Sequence, residues 1–206
     1  MTLVKQSPAK GRMQRSAAHM VLASASPRRL ELLRQIGLEP AEVLPADLDE
    51  APRKGELPRT HAARLAREKA QAIAALRPNA FVLAADTVVA TGRRILGKAE
   101  DEAEARRHLI SLSGRRHRVY GGIAVIGPDG RLAERLVTTV VQFKRLSAAE
   151  IATYLADGEW RGKAGSYAIQ GQAAAFIPSI NGSYSNVVGL ALAETAALLR
   201  GLGYPL

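Results

Sequence analysis

Asp86 stands inside an apolar run, Phe81-Val82-Leu83-Ala84-Ala85 before it and Val88-Val89-Ala90 after Thr87. Apolar on both faces, this run reads as a central strand. A carboxylate there is costly unless it is hydrogen-bonded, paired or metal-bound. The plain alternative is a structural aspartate bonded to backbone at a bulge. A second stretch, Leu22-Ala23-Ser24-Ala25-Ser26-Pro27-Arg28-Arg29-Leu30-Glu31, reads as a strand end, a turn and a helix start. Ser26 suits the N-cap, where its hydroxyl can accept from an unpaired N–H. Pro27 suits the first helical position. The first helical turn then carries Arg28 and Arg29, although a helix N-terminus already bears partial positive charge. Unpaired N–H groups and two guanidiniums at one point describe an anion site, most naturally for phosphate. The alternative is two solvated arginines.

Lys69 falls on the apolar stripe of a later helix, four residues after Leu65 and four before Ile73. A lysine on such a stripe snorkels to the edge or reaches an anion in a cleft. Lys98 ends a short apolar pair, Ile95-Leu96, and Lys163 lies in a glycine-rich stretch. Carboxylates that hold Mg²⁺, together with cations that hold phosphates, are the working parts of phosphoryl chemistry. The acidic cluster Asp47-Leu48-Asp49-Glu50 is a further stretch that either borders this site or is merely solvated.

The elements that must position these groups follow from periodicity and punctuation. Strands are expected at Val21–Ala25, Ala41–Leu44, Phe81–Ala90, Ile95–Leu96, 118–126 and 132–143, and helices at Pro27–Ile36, Thr60–Leu76, Glu100–Ser113, from Ser147 to near Gly158, and Ala191–Leu199. Gly37 and Gly114 serve as helix stops. Ser147-Ala148-Ala149-Glu150 is a capping box. The acids of the Glu100 helix open it and Arg106, Arg107 and His108 lie toward its end, as its dipole prefers. Residues 158–190 lose regular periodicity, and polar loops of this kind tend to line sites. The expected fold is α/β, a mixed sheet with flanking helices.

At 206 residues with 47% hydrophobic content, the chain has the length and composition of a globular domain. Residues 1–19 are polar and acid-poor and read as a disordered extension or a remnant of expression; residues 20–206 read as one domain. No run is long enough to span a bilayer, no signal peptide is evident, and cysteine is absent, which suits a cytoplasmic location. The net charge is +10, but Lys5, Lys10, Arg12 and Arg15 precede the first apolar element, and the rest carries about +6. Aromatic residues make up only 4%, few for stacking on single strands, which weighs against nucleic acid. There is no Gly-x-Ser-x-Gly elbow and no Gly-x-Gly-x-x-Gly after a strand. The histidines (His19, His61, His108, His117) have no zinc spacing. Gly92–Ala99 approaches a P-loop but ends in Ala99 where Ser or Thr should hold Mg²⁺.

Several of these stretches together resemble the Maf family of nucleoside triphosphate pyrophosphatases. They are Ser24-x-Ser26-Pro27-Arg28-Arg29, Leu65–Ala70, Ala85-Asp86-Thr87-Val88-Val89, Leu96-Gly97-Lys98, Leu112-Ser113-Gly114, Lys163–Gly171 and Gly182–Leu190, in order over nearly all of 21–200. The resemblance implies two lobes around a cleft, as in inosine-triphosphate pyrophosphatases, and a homodimer. It implies Mg²⁺- or Mn²⁺-dependent hydrolysis of a nucleoside triphosphate to monophosphate and pyrophosphate. Asp86 matches the proton acceptor, while Arg28, Thr87 and Gln170 match positions tied to the choice of base. Asp86-Thr87 resembles the branch acting on dTTP and UTP; the 7-methyl-GTP branch is the alternative, and a non-catalytic regulator of septum formation that binds nucleic acid or a partner is the rival of another class. The expected catalytic set is Asp86, Lys98, Lys69 and Glu31, with Asp86 and Glu31 on the metal. Ser24, Ser26, Arg28, Arg29, Thr87, Lys163 and Gln170 are expected on the substrate, Arg29 and the backbone N–H groups at the phosphates. Gly121, Ala99 and Ala191 depart from residues common in the family.

Overall fold

The computed structural model describes residues 19–206, so the expectation for residues 1–19 lies, apart from His19, outside the described residues. The His19 carbonyl already accepts the Phe81 N–H (2.9 Å). The sheet begins with β1 (Met20–Ala23), entirely buried. It leads through Ser24–Ser26 into α1 (Pro27–Gln35). Gly37, at φ 74°, ends that helix as expected. The Leu38 N–H bonds to Leu33 O and the Gly37 N–H to Arg34 O, the paired bonds of a Schellman stop.

β2 (Glu42–Val43) pairs with β1 in parallel. Then α2 (Pro58–Leu76) crosses one sheet face. It starts at Pro58, not at a Thr60 cap: proline at the first helical position has a fitting φ and no N–H to satisfy, and this outweighed the threonine signal. β3 (Phe81–Thr91) is continuous through Asp86, with no bulge; its antiparallel pairing with β5 (Arg116–Ile126) is unbroken from Val82 to Ala90. β3 is also parallel to β1 and antiparallel to β4 (Arg94–Leu96). β6 (Leu132–Gln142) follows β5 through a tight turn closed by the Gly127 N–H on Arg131 O (2.9 Å). The sheet order is β2-β1-β3-β5-β6-β7, with β4 beside β3, and β7 is Ser179–Asn181. This is the expected mixed sheet.

α3 (Glu102–Leu112) and α4 (Ala148–Asp157) carry the expected caps: Asp101 accepts from Glu104 N–H at 2.7 Å, and Ser147 with Glu150 closes a capping box. Within 158–190 the structure adds a 3₁₀ turn (Gln172–Phe176), β7 and the five-residue α5 (Tyr184–Val188), too short for periodicity to show. The last helix, α6, is Leu192–Gly201.

Three apolar clusters hold these elements. Leu22, Leu83, Ile123, Leu33 and Leu199 pack on one face of the β1–β3–β5 region, beneath α1 and α6. Val82, Ala84, Ala124, Ala66 and Ile73 pack on the other, beneath α2. The far ends of β3, β5 and β6 supply Val89, Val119 and Val141 to a third, with α3, α4, Trp160 and Tyr167. Along β3 the first two clusters use residues up to Ala85 and the third begins at Val89. Asp86 and Thr87 lie at the handover.

Candidate active site

The cleft exists because β3 loses its neighbour for a few residues. β1 pairs with β3 only as far as Ala23 opposite Ala84, and β4 joins the strand only at Leu96 opposite Val89. Between these points, Ala85–Val88 have no strand on that side among the described residues. Successive strand residues point to opposite faces, yet Asp86 and Thr87 both line one cleft of about 490 Å³, because each is reached through this gap. The β1–α1 turn, the start of α2, Gly97-Lys98 and residues 162–170 close around it.

On the α2 side, Gly122 faces Asp86 across the β3–β5 pair. A Cβ on Gly122 would come within 2.1 Å of Ala62 O, so glycine is what lets α2 rest on the sheet backbone. His61, Leu65 and Lys69, at i, i+4 and i+8 of that helix, form the stripe facing the cleft. Lys69 does not snorkel. It is 7% exposed and its Nζ bonds to Asp86 Oδ1 at 2.7 Å and to Glu50 Oε1 at 2.6 Å. Lys98 Nζ stands 3.9 Å from Glu50 Oε2. Burial acts to raise the Glu50 pKa, but the bond to Lys69 and the charges of Lys69, Lys98 and Arg29 outweigh it and hold it below the ordinary carboxylate range. Glu31 stands apart: it is exposed on α1 and does not line the cleft. The second carboxylate at Lys69 is Glu50, from the acidic loop that the sequence left between bordering the site and being solvated. Its pairing with Lys69 joins residues 19 apart in sequence, and no local pattern announces that.

On the other side, Ser26 holds the N-cap position but its side chain makes no capping bond. Ser24 does the local work instead: its Oγ accepts the Ser26 N–H (3.1 Å) and Arg29 Nη1 (2.9 Å). Arg29 also donates to Gly189 O (2.9 Å) and Thr87 Oγ1 (3.2 Å), and Thr87 Oγ1 reaches Gly189 O at 3.3 Å. The guanidinium expected at the phosphates is therefore a brace joining α1, β3 and the loop after α5. Burial lowers its pKa, with Asp86 opposing. Arg28 makes a single bond, to Val188 O (3.3 Å), and lines the cleft. Burial lowers its pKa while Glu31 raises it. Lys163, across the cleft, is lowered by burial and then by the charge of Arg28. Two like charges thus face one space, an arrangement that an anion between them would relieve. Gln170 lines the same cleft and is exposed.

The structure brings Asp86, Lys69, Lys98, Ser24, Ser26, Arg28, Arg29, Thr87, Lys163 and Gln170 to one cleft. The carbonyls of Val188 and Gly189, which fix the arginines, were outside any side-chain motif. Gly121, noted as a departure, is explained here: its missing Cβ leaves room for the buried Asn186, whose Oδ1 would lie 1.8 Å from it.

Among the described residues no three His, Cys, Asp or Glu cluster as a ready metal cage. A hard cation such as Mg²⁺ needs only one or two carboxylates when substrate phosphates and water complete its shell. Asp86 and Glu50, meeting on one ammonium, fit that requirement.

Residues 19–202 match the family described as Maf-like protein. The chain is 67% identical over 187 residues to a dTTP/UTP pyrophosphatase of Paramagnetospirillum magneticum, covering 91% of this chain and 98% of the relative. It is 64% identical to a dTTP/UTP pyrophosphatase of Rhodospirillum rubrum, covering 94% and 92%. Among solved structures, a nucleoside-triphosphatase / dITP/XTP pyrophosphatase of Mycobacterium abscessus overlaps 63% of this chain and 76% of its own, with 19% identity and a TM-score of 0.41.

Proposed function

This chain belongs to the Maf family, and from that premise we propose that it hydrolyses nucleoside triphosphates, dTTP and UTP foremost, to the monophosphate and pyrophosphate. The observation that carries the reading is the buried Asp86–Lys69 pair in a cleft also lined by Arg28, Arg29, Lys98 and Lys163, with Glu50 as the further carboxylate. Both relatives compared above bear the dTTP/UTP pyrophosphatase name, which supports the pyrimidine preference.

Asp86 and Glu50 would hold a divalent cation, Mg²⁺ or Mn²⁺, whose role when bound is to neutralise charge on the phosphate oxygens. Lys69 fixes Asp86 through Oδ1 and leaves Oδ2 to accept a proton from water. That water attacks the α-phosphorus, the bond to the bridging oxygen breaks, and pyrophosphate departs. Lys98 supplies positive charge at the β- and γ-phosphates, and Lys163, which shares its space with Arg28, supplies it at the α-phosphate. Arg28, Thr87 and Gln170 face the base, with Thr87 held in place by Arg29. The resemblance supports a homodimer working in the cytoplasm; among the described residues no helix is long and apolar enough to cross a membrane.

The test is a panel of nucleoside triphosphates with and without Mg²⁺, scored for pyrophosphate and monophosphate. dTTP and UTP should lead, and Asp86→Asn should lower kcat by roughly 10²–10⁴, the usual effect of losing a general base. Preference for 7-methyl-GTP would overturn the pyrimidine assignment. Full turnover by Asp86→Asn would overturn the role of Asp86.

A further inference from the structure

Residues 162–171 form a strap over the cleft, and its turn is unusual. Gly165 and Ser166 have φ of 69° and 60°. The Ser166 N–H bonds to Lys163 O (3.0 Å), closing a turn across Ala164 and Gly165, and glycine is the usual residue at positions of positive φ such as 165 and 166. Serine at the second of them is an outlier, and such outliers persist where surrounding structure holds them. Ser166 is fully buried. Its hydroxyl lies 2.8 Å from Nδ1 of His108, a buried residue on α3. Nε2 of His108 is 3.8 Å from Glu104 Oε1, which favours the ring proton on that nitrogen and leaves Nδ1 to accept from Ser166. Burial lowers the pKa of this histidine, with the charge of Glu104 opposing.

The other strap anchors come from elsewhere. Gly165 N–H is shared between Leu96 O and Gly97 O, and Ala164 bridges to Lys98. Tyr167 OH lies 2.8 Å from His117 Nε2, and the Ala168 N–H bonds to Tyr154 OH at 3.2 Å. Ser166 itself is held by its N–H to Lys163 O (3.0 Å) within the strap and by its hydroxyl to His108, the bond that ties it to α3. That residue lies three after Lys163 and four before Gln170, the two strap residues on the cleft with long polar side chains.

We propose that His108 and Ser166 are positioning residues: their buried bond sets the strap's turn and so holds Lys163 and Gln170 against the α-phosphate and base, the part of the nucleotide that dTMP retains. This rests on the pyrophosphatase reading for the identity of the nucleotide. His108 thereby has a task different from the helix-dipole role its sequence position suggests. At the phosphate end, Lys69 bonds to Asp86 and Glu50, off the strap, and the Ala164–Lys98 bridge is backbone pairing that involves neither His108 nor the Ser166 hydroxyl.

The experiment measures dTMP and inorganic pyrophosphate binding by calorimetry, with thermal melting in parallel. Ser166→Gly removes the hydroxyl and tolerates the positive φ, so the fold is retained. It should weaken dTMP about tenfold and leave pyrophosphate unchanged. His108→Ala should do the same, His108→Asn should restore dTMP binding by offering a polar atom near Nδ1, and the double variant Ser166→Gly/His108→Ala should be no worse than either single change, as expected for two groups acting through one contact. Wild-type dTMP affinity in Ser166→Gly, equal losses of both ligands, or additive losses in the double variant would each overturn the proposal. Turnover of dTTP by the unmodified protein is measured alongside; its absence with dTMP binding intact counts against the reaction and leaves the positioning role standing, whereas failure of the wild type to bind dTMP sinks both.

Discussion

Replacing Lys69 with methionine tests the centre of the site without relying on turnover. Lys69 is 7% exposed and Asp86 8%, and their 2.7 Å contact is the closest compensation for the Asp86 charge. Removing one member of a buried pair costs roughly 3–5 kcal/mol, because the remaining charge is left unpaired. The lower end applies here, since Asp86 borders a cleft that water can enter and Glu50, the other partner, keeps 44% of its side chain exposed. A loss of about 3 kcal/mol in a domain of this size corresponds to a fall in Tm of about 6–12 °C. The assay is thermal and urea unfolding in EDTA, so that no cation replaces the missing ammonium. Adding Asp86→Asn to Lys69→Met should recover at least half of the loss by neutralising the stranded carboxylate. The reasoning fails if Lys69→Met melts within about 2 °C of the wild type, or if the second substitution does not raise the Tm of the first.

Two further outcomes follow from buried geometry. His117 is 2% exposed and burial pushes its pKa down to about 4 from an ordinary 6.5. The unfolded chain then binds the proton first, so stability is complete above pH 6.5 and falls as pH drops toward 4. The loss is about 3 kcal/mol at its full extent; urea titrations at pH 7 and 4.5 should show most of it, and His117→Phe, which keeps the edge-on packing against Phe143, should flatten that slope. Gly122→Ala places a methyl 2.1 Å from Ala62 O; α2 must lift, at a cost of about 2–3 kcal/mol, and because Lys69 rides on α2 the kcat/KM for dTTP should drop at least tenfold, so wild-type kinetics in this variant would refute the account of how α2 is seated.

Much of the positioning framework was legible before any fold was known. Gly37, the Ser147–Glu150 box and Pro27 act through contacts within four residues, and each does what its local pattern implies. Asp86 was conspicuous because a carboxylate violates an apolar strand, and Lys69 because a cation violates an apolar helical stripe. Where two local signals compete, the fold follows one of them: Pro58, not Thr60, opens α2. Ser26 sits at its cap position, yet Ser24 supplies the hydroxyl that organises the turn.

The sequence alone determined the kinds of groups present and the elements that carry them, because side-chain period, caps and breakers are properties of neighbouring residues. Tertiary structure decided which groups meet. Glu50, not Glu31, joins Lys69 because the acidic loop returns over α2 while the α1 face bearing Glu31 turns to solvent. Arg29 became a brace because the loop after α5 delivers Gly189 O from 160 residues away. The cleft itself is a difference in strand lengths: β1 stops and β4 has not yet begun, so Asp86 and Thr87, on opposite faces of β3, open onto the same space. Such meetings depend on sheet register and on the close approach that Gly122 permits, and these are set by packing across the whole domain.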